Sequence, residues 1–173
     1  MADTSVQRKV EYWIRDEWMP KKFGQRFYQR SLRLSSGGYF DFDAVSEDHK
    51  LVALISTSGA KTARGKHASG KLLKIRSDMF FLVLVPNVNV ERRIVVLTET
   101  DMVELLKREF ENGRVPKSIE FVHAEIPEKL YENLRIAKVV ASKEVDVGGR
   151  ERIPAGCFKL GRISACLLEG VRD

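Results

Sequence analysis

The stretch that decides the fold is 39-YFDFDAVSEDHKLVALISTS-58, in which two strand patterns flank a short polar turn. Residues 39–45 alternate strictly, which predicts a strand with Phe40, Phe42 and Ala44 on one face and Asp41, Asp43 and Val45 on the other. Residues 51–57 are apolar on both faces, and this pattern predicts a central strand of a sheet.

The segments on either side extend this pair of strands into a single α/β domain. In chain order we predict helix 6–19, strand 27–34, the two strands above, helix 65–77, strands 79–85 and 93–98, helix 100–112, strand 119–126 and helix 127–141. No linker or internal repeat interrupts this order. We therefore expect one domain over residues 1–173, a central mixed sheet flanked by helices. In segment 142–173 the Gly148-Gly149 turn is compatible with a hairpin, but the sequence does not define the elements of this segment.

Composition places the chain among soluble globular proteins. Hydrophobic residues make up 43% of the 173 residues, enough for a packed core, and charged residues make up 31%. The run 79–85 is far shorter than the roughly 20 residues that cross a membrane, and the N-terminus lacks the apolar segment of a signal peptide. We expect a cytoplasmic protein without a membrane partner, in which Cys157 and Cys166 are reduced, packed thiols.

Positive charge is concentrated in one interval. The net charge is +6, and between Asp48 and Asp78 there is no acid but seven cations, so the rest of the chain sums to −1. Such an excess suits a polyanion, although a solvated face explains the same charges. The candidate nucleic-acid contacts are Lys61, Arg64, Lys66, His67, Lys71 and Lys74.

The same interval contains a near match to a phosphate-binding loop. Residues 65-GKHASGK-71 fit the spacing G-x-x-x-x-G-K, but Leu72 follows where that loop needs Ser or Thr to hold Mg²⁺. Binding of a nucleotide or of free phosphate is therefore kept only as an alternative function.

The element order up to residue 85 resembles the restriction-endonuclease-like fold of the PD-(D/E)xK nuclease superfamily. The resemblance implies a nuclease-like core over residues 1–85, in which an acid on the first helix and an acid in the second strand meet a (D/E)-x-K motif in the third strand. The carboxylates of such a site collect Mg²⁺ or Mn²⁺. Asp43 falls at the second-strand position, whereas Leu54 and Ser56 occupy the motif positions of the third strand.

The resemblance also allows the charged residues to move to neighbouring elements, where Lys61, Lys66 or Lys71 would supply the cation. Two acids compete for the first-helix position. Glu11 is favoured by its distance from Gly24, and Glu17 by its place on the apolar stripe of the helix. The candidate metal ligands are Asp43 and Glu11, and the candidate catalytic residues are Asp43, Glu11, Glu17, Lys61 and Lys66.

Together these patterns predict a nucleic-acid-binding protein with a nuclease-like fold, with DNA favoured over RNA. If it is active, it is a divergent nuclease that depends on Mg²⁺ or Mn²⁺. The loss of the motif at Leu54 and Ser56 keeps a second interpretation open. In that interpretation the chain is a catalytically inert interaction module within a homo-oligomer or a larger assembly.

Overall fold

A computed structural model describes residues 5–62, 65–86 and 88–148 of the chain. Its strands are β1 (Phe27–Arg33), β2 (Tyr39–Ser46), β3 (Leu51–Ser56), β4 (Arg92–Leu97) and β5 (Ile119–His123). Its helices are α1 (Ser5–Trp13), a π-helical turn (Ile14–Trp18), α2 (Met19–Phe23), α3 (Ser69–Val83), α4 (Thr100–Glu111) and α5 (Glu128–Gly148). No helix among these residues is both long and apolar enough to span a membrane.

The five strands form one mixed sheet in the order β1-β2-β3-β4-β5. The first three strands are antiparallel neighbours, and β3, β4 and β5 run parallel to one another. The predicted mixed sheet flanked by helices is confirmed, and so is the central position of β3. Five of the six β3 residues are buried, which explains why the segment is apolar on both faces.

Helices cover both faces of the sheet and create two apolar layers. On one face α3 and α4 contribute Ile75, Met79, Leu82, Met102 and Leu106 to the core. On the other face the core residues are Val10, Ile14 and Met19 from the N-terminal helical segment and Leu134 from α5. Alternate residues of β3 serve the two layers, with Val52 and Leu54 in the first and Leu51, Ala53 and Ile55 in the second.

The prediction of a strand at 79–85 is wrong, because most of this run is the C-terminal half of α3. Its contacts follow helical spacing, with Ile75, Met79 and Leu82 buried against the sheet, while Phe80 and Val83 are exposed. A short run rich in aromatic and branched residues suits either a strand or a buried helix, and periodicity alone does not separate them. Helix α3 therefore connects β3 directly to its parallel neighbour β4.

A β-bulge overturns the strict alternation predicted for β2. Two steps along β1, from Tyr28 to Arg30, match three steps along β2, from Val45 to Phe42, so β2 carries an extra residue around Asp43. As a result Phe42 and Val45 lie in the same apolar layer, and Ala44 lies in the other.

The last predicted segments differ in extent from the structure. Helix α5 continues to Gly148, beyond the predicted end at residue 141. The hairpin predicted after Gly148, with Cys157 and Cys166, lies outside the described residues.

Candidate functional site

One face of α1 and of the turn that follows forms the wall of a polar pocket. Arg8, Glu11, Tyr12 and Arg15 line it, and their spacing of three, four and seven residues places them on the same side of the helix. Gln29 of β1 and Asp43 of β2 complete the lining. The cavity has a volume of about 330 Å³, at the lower end of the range for small-ligand sites.

The bulge in β2 turns the Asp43 side chain toward β3. Its Oδ2 accepts a hydrogen bond of 2.8 Å from the backbone amide of Ile55. The Cα pairing between β2 and β3 covers only Ala44 with Ala53 and Val45 with Val52. Just beyond the last paired residues, the carboxylate of Asp43 accepts a hydrogen bond from β3 in place of a backbone carbonyl of β2. The Ile55 amide therefore sets the orientation of this carboxylate.

Both carboxylates of the pocket hold their protons more tightly than carboxylates in water. Burial raises the pKa of Glu11, and the negative charge of Asp43 raises it further. Burial also raises the pKa of Asp43, against the opposing effect of the hydrogen bond from Ile55. Carboxylates whose charge is disfavoured in this way gain most from a nearby cation.

The cations that act on this pair come from α1, from the π-helical turn and from α3. Lys74 and Arg15 lower the pKa of both carboxylates, and Arg8 also lowers that of Glu11. Lys74 lies outside the pocket wall, and its side chain is 74% exposed, so the ammonium is accessible from solvent. Its Nζ is 2.6 Å from Oδ2 of Asp78, and the charge of Asp78 in turn raises the pKa of Asp43.

The two candidates for the first-helix acid, Glu11 and Glu17, lie in different environments. Glu11 lines the pocket, whereas Glu17 is exposed and is not part of the lining. The prediction that Glu17 continues the apolar stripe fails because of the π-helical turn, in which the Met19 amide donates to the Ile14 carbonyl five residues back. This wider turn shifts the phase of the helix, so that Arg15 and Met19 are buried instead.

The third-strand positions of the resemblance carry no catalytic group. Leu54 is buried in the apolar layer under α3 and α4. The Ser56 hydroxyl accepts a hydrogen bond of 3.3 Å from the Ser58 amide. The residue of β3 that meets Asp43 is Ile55, and it does so through its backbone.

The basic loop after β3 does not contribute to the lining of the pocket. Lys61 and Lys66 are exposed, Lys61 forms an isolated bridge with His67, and the Thr62 amide donates to the Lys66 carbonyl at 2.8 Å. Lys71 lies within the electrostatic reach of Glu99, Asp101 and Lys138. Arg64 lies outside the described residues.

Asp101 attaches this loop to the start of α4. Its Oδ2 accepts a hydrogen bond of 3.1 Å from the Ala60 amide. Gly59 lies alongside, and a Cβ there would be 3.4 Å from Oδ1 of Asp101, in ordinary van der Waals contact. The loop lysines are therefore held near the C-terminal ends of the parallel strands.

The donor set of the pocket fits a Mg²⁺ or Mn²⁺ ion bound by few protein ligands. Among the residues described, no group of three or more His, Cys, Asp and Glu side chains is arranged to hold a metal. Mg²⁺, however, is commonly held by one or two carboxylates together with water and substrate phosphate. Glu11 and Asp43 supply two such carboxylates, and their raised pKa values favour a cation beside them.

Sequence reasoning missed Arg8 and Arg15 as pocket residues and missed Lys74 as a partner of the carboxylates. The signal for the arginines is a polar stripe at helical spacing, Arg8, Glu11 and Arg15, beside the apolar one. The signal for Lys74 is its i,i+4 spacing to Asp78, but the predicted helix ends at residue 77, and the false strand at 79–85 hid the extension of α3 that contains Asp78.

Comparisons with protein-family models, with curated proteins and with solved structures found no match. The fold and the pocket define an α/β protein with a mixed five-stranded sheet and an acidic pair at the junction of α1, β2 and β3.

Proposed function

We propose that the protein is a nucleic-acid-binding, metal-dependent nuclease whose site is the pocket of Glu11 and Asp43. The observation that supports this most is the meeting of two partly buried carboxylates with raised pKa values at a pocket that Arg8 and Arg15 also line. Acids that bind a divalent cation next to guanidinium groups that bind phosphate are one arrangement that supports phosphodiester hydrolysis.

The two carboxylates would hold Mg²⁺ or Mn²⁺. When bound, such an ion supplies Lewis acidity and a water of lowered pKa. Arg15 is oriented by its Nη1, which donates to the Asp43 carbonyl at 3.3 Å, so its guanidinium is positioned to bind a phosphate oxygen next to the acids. The accessible ammonium of Lys74 offsets the negative charge that develops on the phosphate.

The basic loop extends the contact along the polymer. Lys61 and Lys66 are exposed on a segment that follows β3, the strand whose backbone holds Asp43. Contacts from such lysines to phosphates carry no sequence information and weaken as salt rises. DNA is the favoured substrate, as the resemblance to nucleases of the PD-(D/E)xK superfamily implies.

The test is a panel of labelled single- and double-stranded DNA and RNA, assayed for binding across a salt series and for cleavage in Mg²⁺, Mn²⁺ or EDTA. We expect binding that falls with salt and cleavage that requires the metal. Asp43→Asn should abolish cleavage while leaving binding in EDTA within about twofold, because Asn keeps an acceptor for the Ile55 amide.

Other results point to other functions. Binding of nucleic acid without cleavage in either metal would favour an inert module that reuses the fold. A failure to bind any of the four polymers at low salt would contradict the proposal. A thermal shift with nucleoside triphosphate but not with nucleic acid would favour the phosphate-binding alternative.

A further inference from the structure

Tyr12 is an accessible aromatic side chain on the wall of the pocket. It is 52% exposed, although it belongs to the helix face that carries Glu11 and Arg15. The guanidinium carbon of Arg15 lies 4.7 Å from the centre of its ring, at cation–π distance. One part of the ring is therefore covered by a cation, and about half of the side chain remains open beside the acidic pair.

Arg15 holds this ring in a fixed relation to Asp43. Its side chain is only 10% exposed, its Nε is 3.0 Å from Oδ1 of Asp16, and its Nη1 donates to the Asp43 carbonyl at 3.3 Å. Arg15 takes this buried position in the π-helical turn, the kind of irregularity that is frequent at functional sites. The phenol ring, the guanidinium and the backbone of Asp43 are thus connected by direct contacts.

We propose that Tyr12 is a stacking platform for an unpaired base, and that the substrate of this pocket is single-stranded nucleic acid. The inference rests on the proposed function, because it specifies the polymer that reaches Glu11 and Asp43. Exposed aromatic rings beside cations are the elements that bind single strands, since every base has a face that can stack. A base within a duplex is already stacked on its neighbours and must be extruded before it can contact such a ring.

The size of the pocket agrees with this assignment. A cavity of about 330 Å³ bounded by α1, β1 and β2 is on the scale of one small ligand. In this assignment the base lies against Tyr12 while the adjoining phosphate lies between Arg15 and the acidic pair.

The test measures binding of a fluorescent 20-nucleotide DNA strand, and of a hairpin duplex of the same length, by fluorescence anisotropy in EDTA. Wild-type protein should bind the single strand more tightly than the duplex. Tyr12→Ala should weaken single-strand binding by at least about fivefold, the lower end of the effect of losing one base–aromatic stack. Tyr12→Phe, which keeps the ring, should bind as the wild type does.

Tyr28 provides a matched control. It is 37% exposed and has the Arg30 guanidinium 5.2 Å from its ring centre, but it does not line the pocket. Tyr28→Ala should leave single-strand affinity unchanged, and thermal melting should show that both alanine variants are folded.

Three outcomes overturn the inference, and they distinguish its failure from failure of the proposed function. If the wild type binds nucleic acid but Tyr12→Ala binds the single strand as tightly as Tyr12→Phe does, the stacking role is wrong and the proposed function is unaffected. If the wild type binds the duplex as tightly as the single strand, the assignment of a single-stranded substrate is wrong and the proposed function is again unaffected. If the wild type binds neither probe at low salt, the proposed function fails and the inference fails with it.

Discussion

Asp43 is placed by the backbone around it. A bulge in β2 and a hydrogen bond from the Ile55 amide fix its carboxylate, and neither feature depends on the chemistry of the site. Burial nevertheless raises its pKa, so the folded chain pays a free-energy cost to keep it ionised. A residue that costs stability at neutral pH and lines a pocket is a candidate for function.

The pH dependence of stability should show this cost. Because the pKa of Asp43 is higher in the folded protein than in the unfolded chain, its contribution to stability falls as pH rises from the unfolded value through the raised one. Asp43→Asn should therefore have a higher Tm than wild type by a few degrees at pH 7 in EDTA, and the difference should shrink toward pH 4. Thermal melts of both proteins over this range check it. A lower Tm for the variant at pH 7 would contradict the assignment.

A bound divalent cation should offset the free-energy cost of keeping Asp43 ionised in the folded protein. Mg²⁺ or Mn²⁺ should raise the Tm of wild type, because a ligand that binds only the folded state stabilises it in proportion to the logarithm of its concentration above Kd. Glu11→Gln and Asp43→Asn should each lose this shift, whereas Glu17→Gln should keep it because Glu17 does not line the pocket. Equal shifts in all four proteins would show that the metal binds elsewhere.

At the residue scale, the acids of the pocket could be predicted from the sequence better than the cations that act on them. The sequence predicts Asp43 and Glu11 as candidate site residues from the positions of acids relative to strand and helix patterns, and both line the pocket. The choice between Glu11 and Glu17 could not be made, since no residue type marks a π-helical turn. The role of Lys74 was hidden because it depends on which helix face meets the sheet.

At the scale of elements, α3 determines which lysine approaches the acids. Its buried residues Ile75, Met79 and Leu82 fix the rotation of the helix on the sheet, and Lys74 then lies within reach of Asp43. The C-terminal end of α3 is held by Arg93 of β4, which is 6% exposed. Its Nε donates to the Leu82 carbonyl at 2.9 Å and its Nη2 to the Val85 carbonyl at 2.8 Å.

Arg93→Met should destabilise the protein strongly. It leaves carbonyl groups at the end of α3 without their charged donor, and hydrogen bonds to charged groups contribute about 1.5–3 kcal/mol each. We expect a loss of roughly 3 kcal/mol in the free energy of unfolding, measured by urea denaturation. Arg92→Met is the control, because its pair with Glu120 is exposed and should contribute less than about 1 kcal/mol. Similar losses in both variants would contradict this role of Arg93.

The elements that sequence predicted best are those with a single clear period. The strands around 51–57 and 93–98 and the helix at 100–112 are present with ends within a residue or two of the prediction. The run 79–85 failed because it is apolar throughout, so its helical period is visible only once the sheet shows which side is buried.

At the scale of the whole molecule, positive charge lies on two surfaces, one around the acidic pair and one on the basic loop. Arg8, Arg15 and Lys74 surround the acidic pair, whereas Lys61 and Lys66 lie on the loop that Asp101 attaches to α4. The sequence shows only that cations crowd one interval. It does not show which of these cations acts on Asp43 and Glu11.

The two surfaces should respond differently to mutation. Replacing Lys61 and Lys66 together with alanine should weaken single-strand binding and reduce the slope of log K against log salt by about 1.4, since each phosphate contact contributes roughly 0.7 for single strands. The rate of cleavage at saturating protein should stay within about twofold of wild type. An unchanged salt slope would exclude these lysines from the interface.

The central claim is that the lysine acting on the acidic pair is Lys74 of α3 and not a lysine of the basic loop. Single-turnover cleavage of a labelled DNA single strand in Mn²⁺, at saturating protein, tests it most directly by comparing wild type, Lys74→Met and the Lys61→Ala/Lys66→Ala double variant. We predict a rate about 10²-fold lower for Lys74→Met, the scale of losing one charge-stabilising group, and a near-normal rate for the double variant. A near-normal rate for Lys74→Met together with a collapse in the double variant would contradict the account.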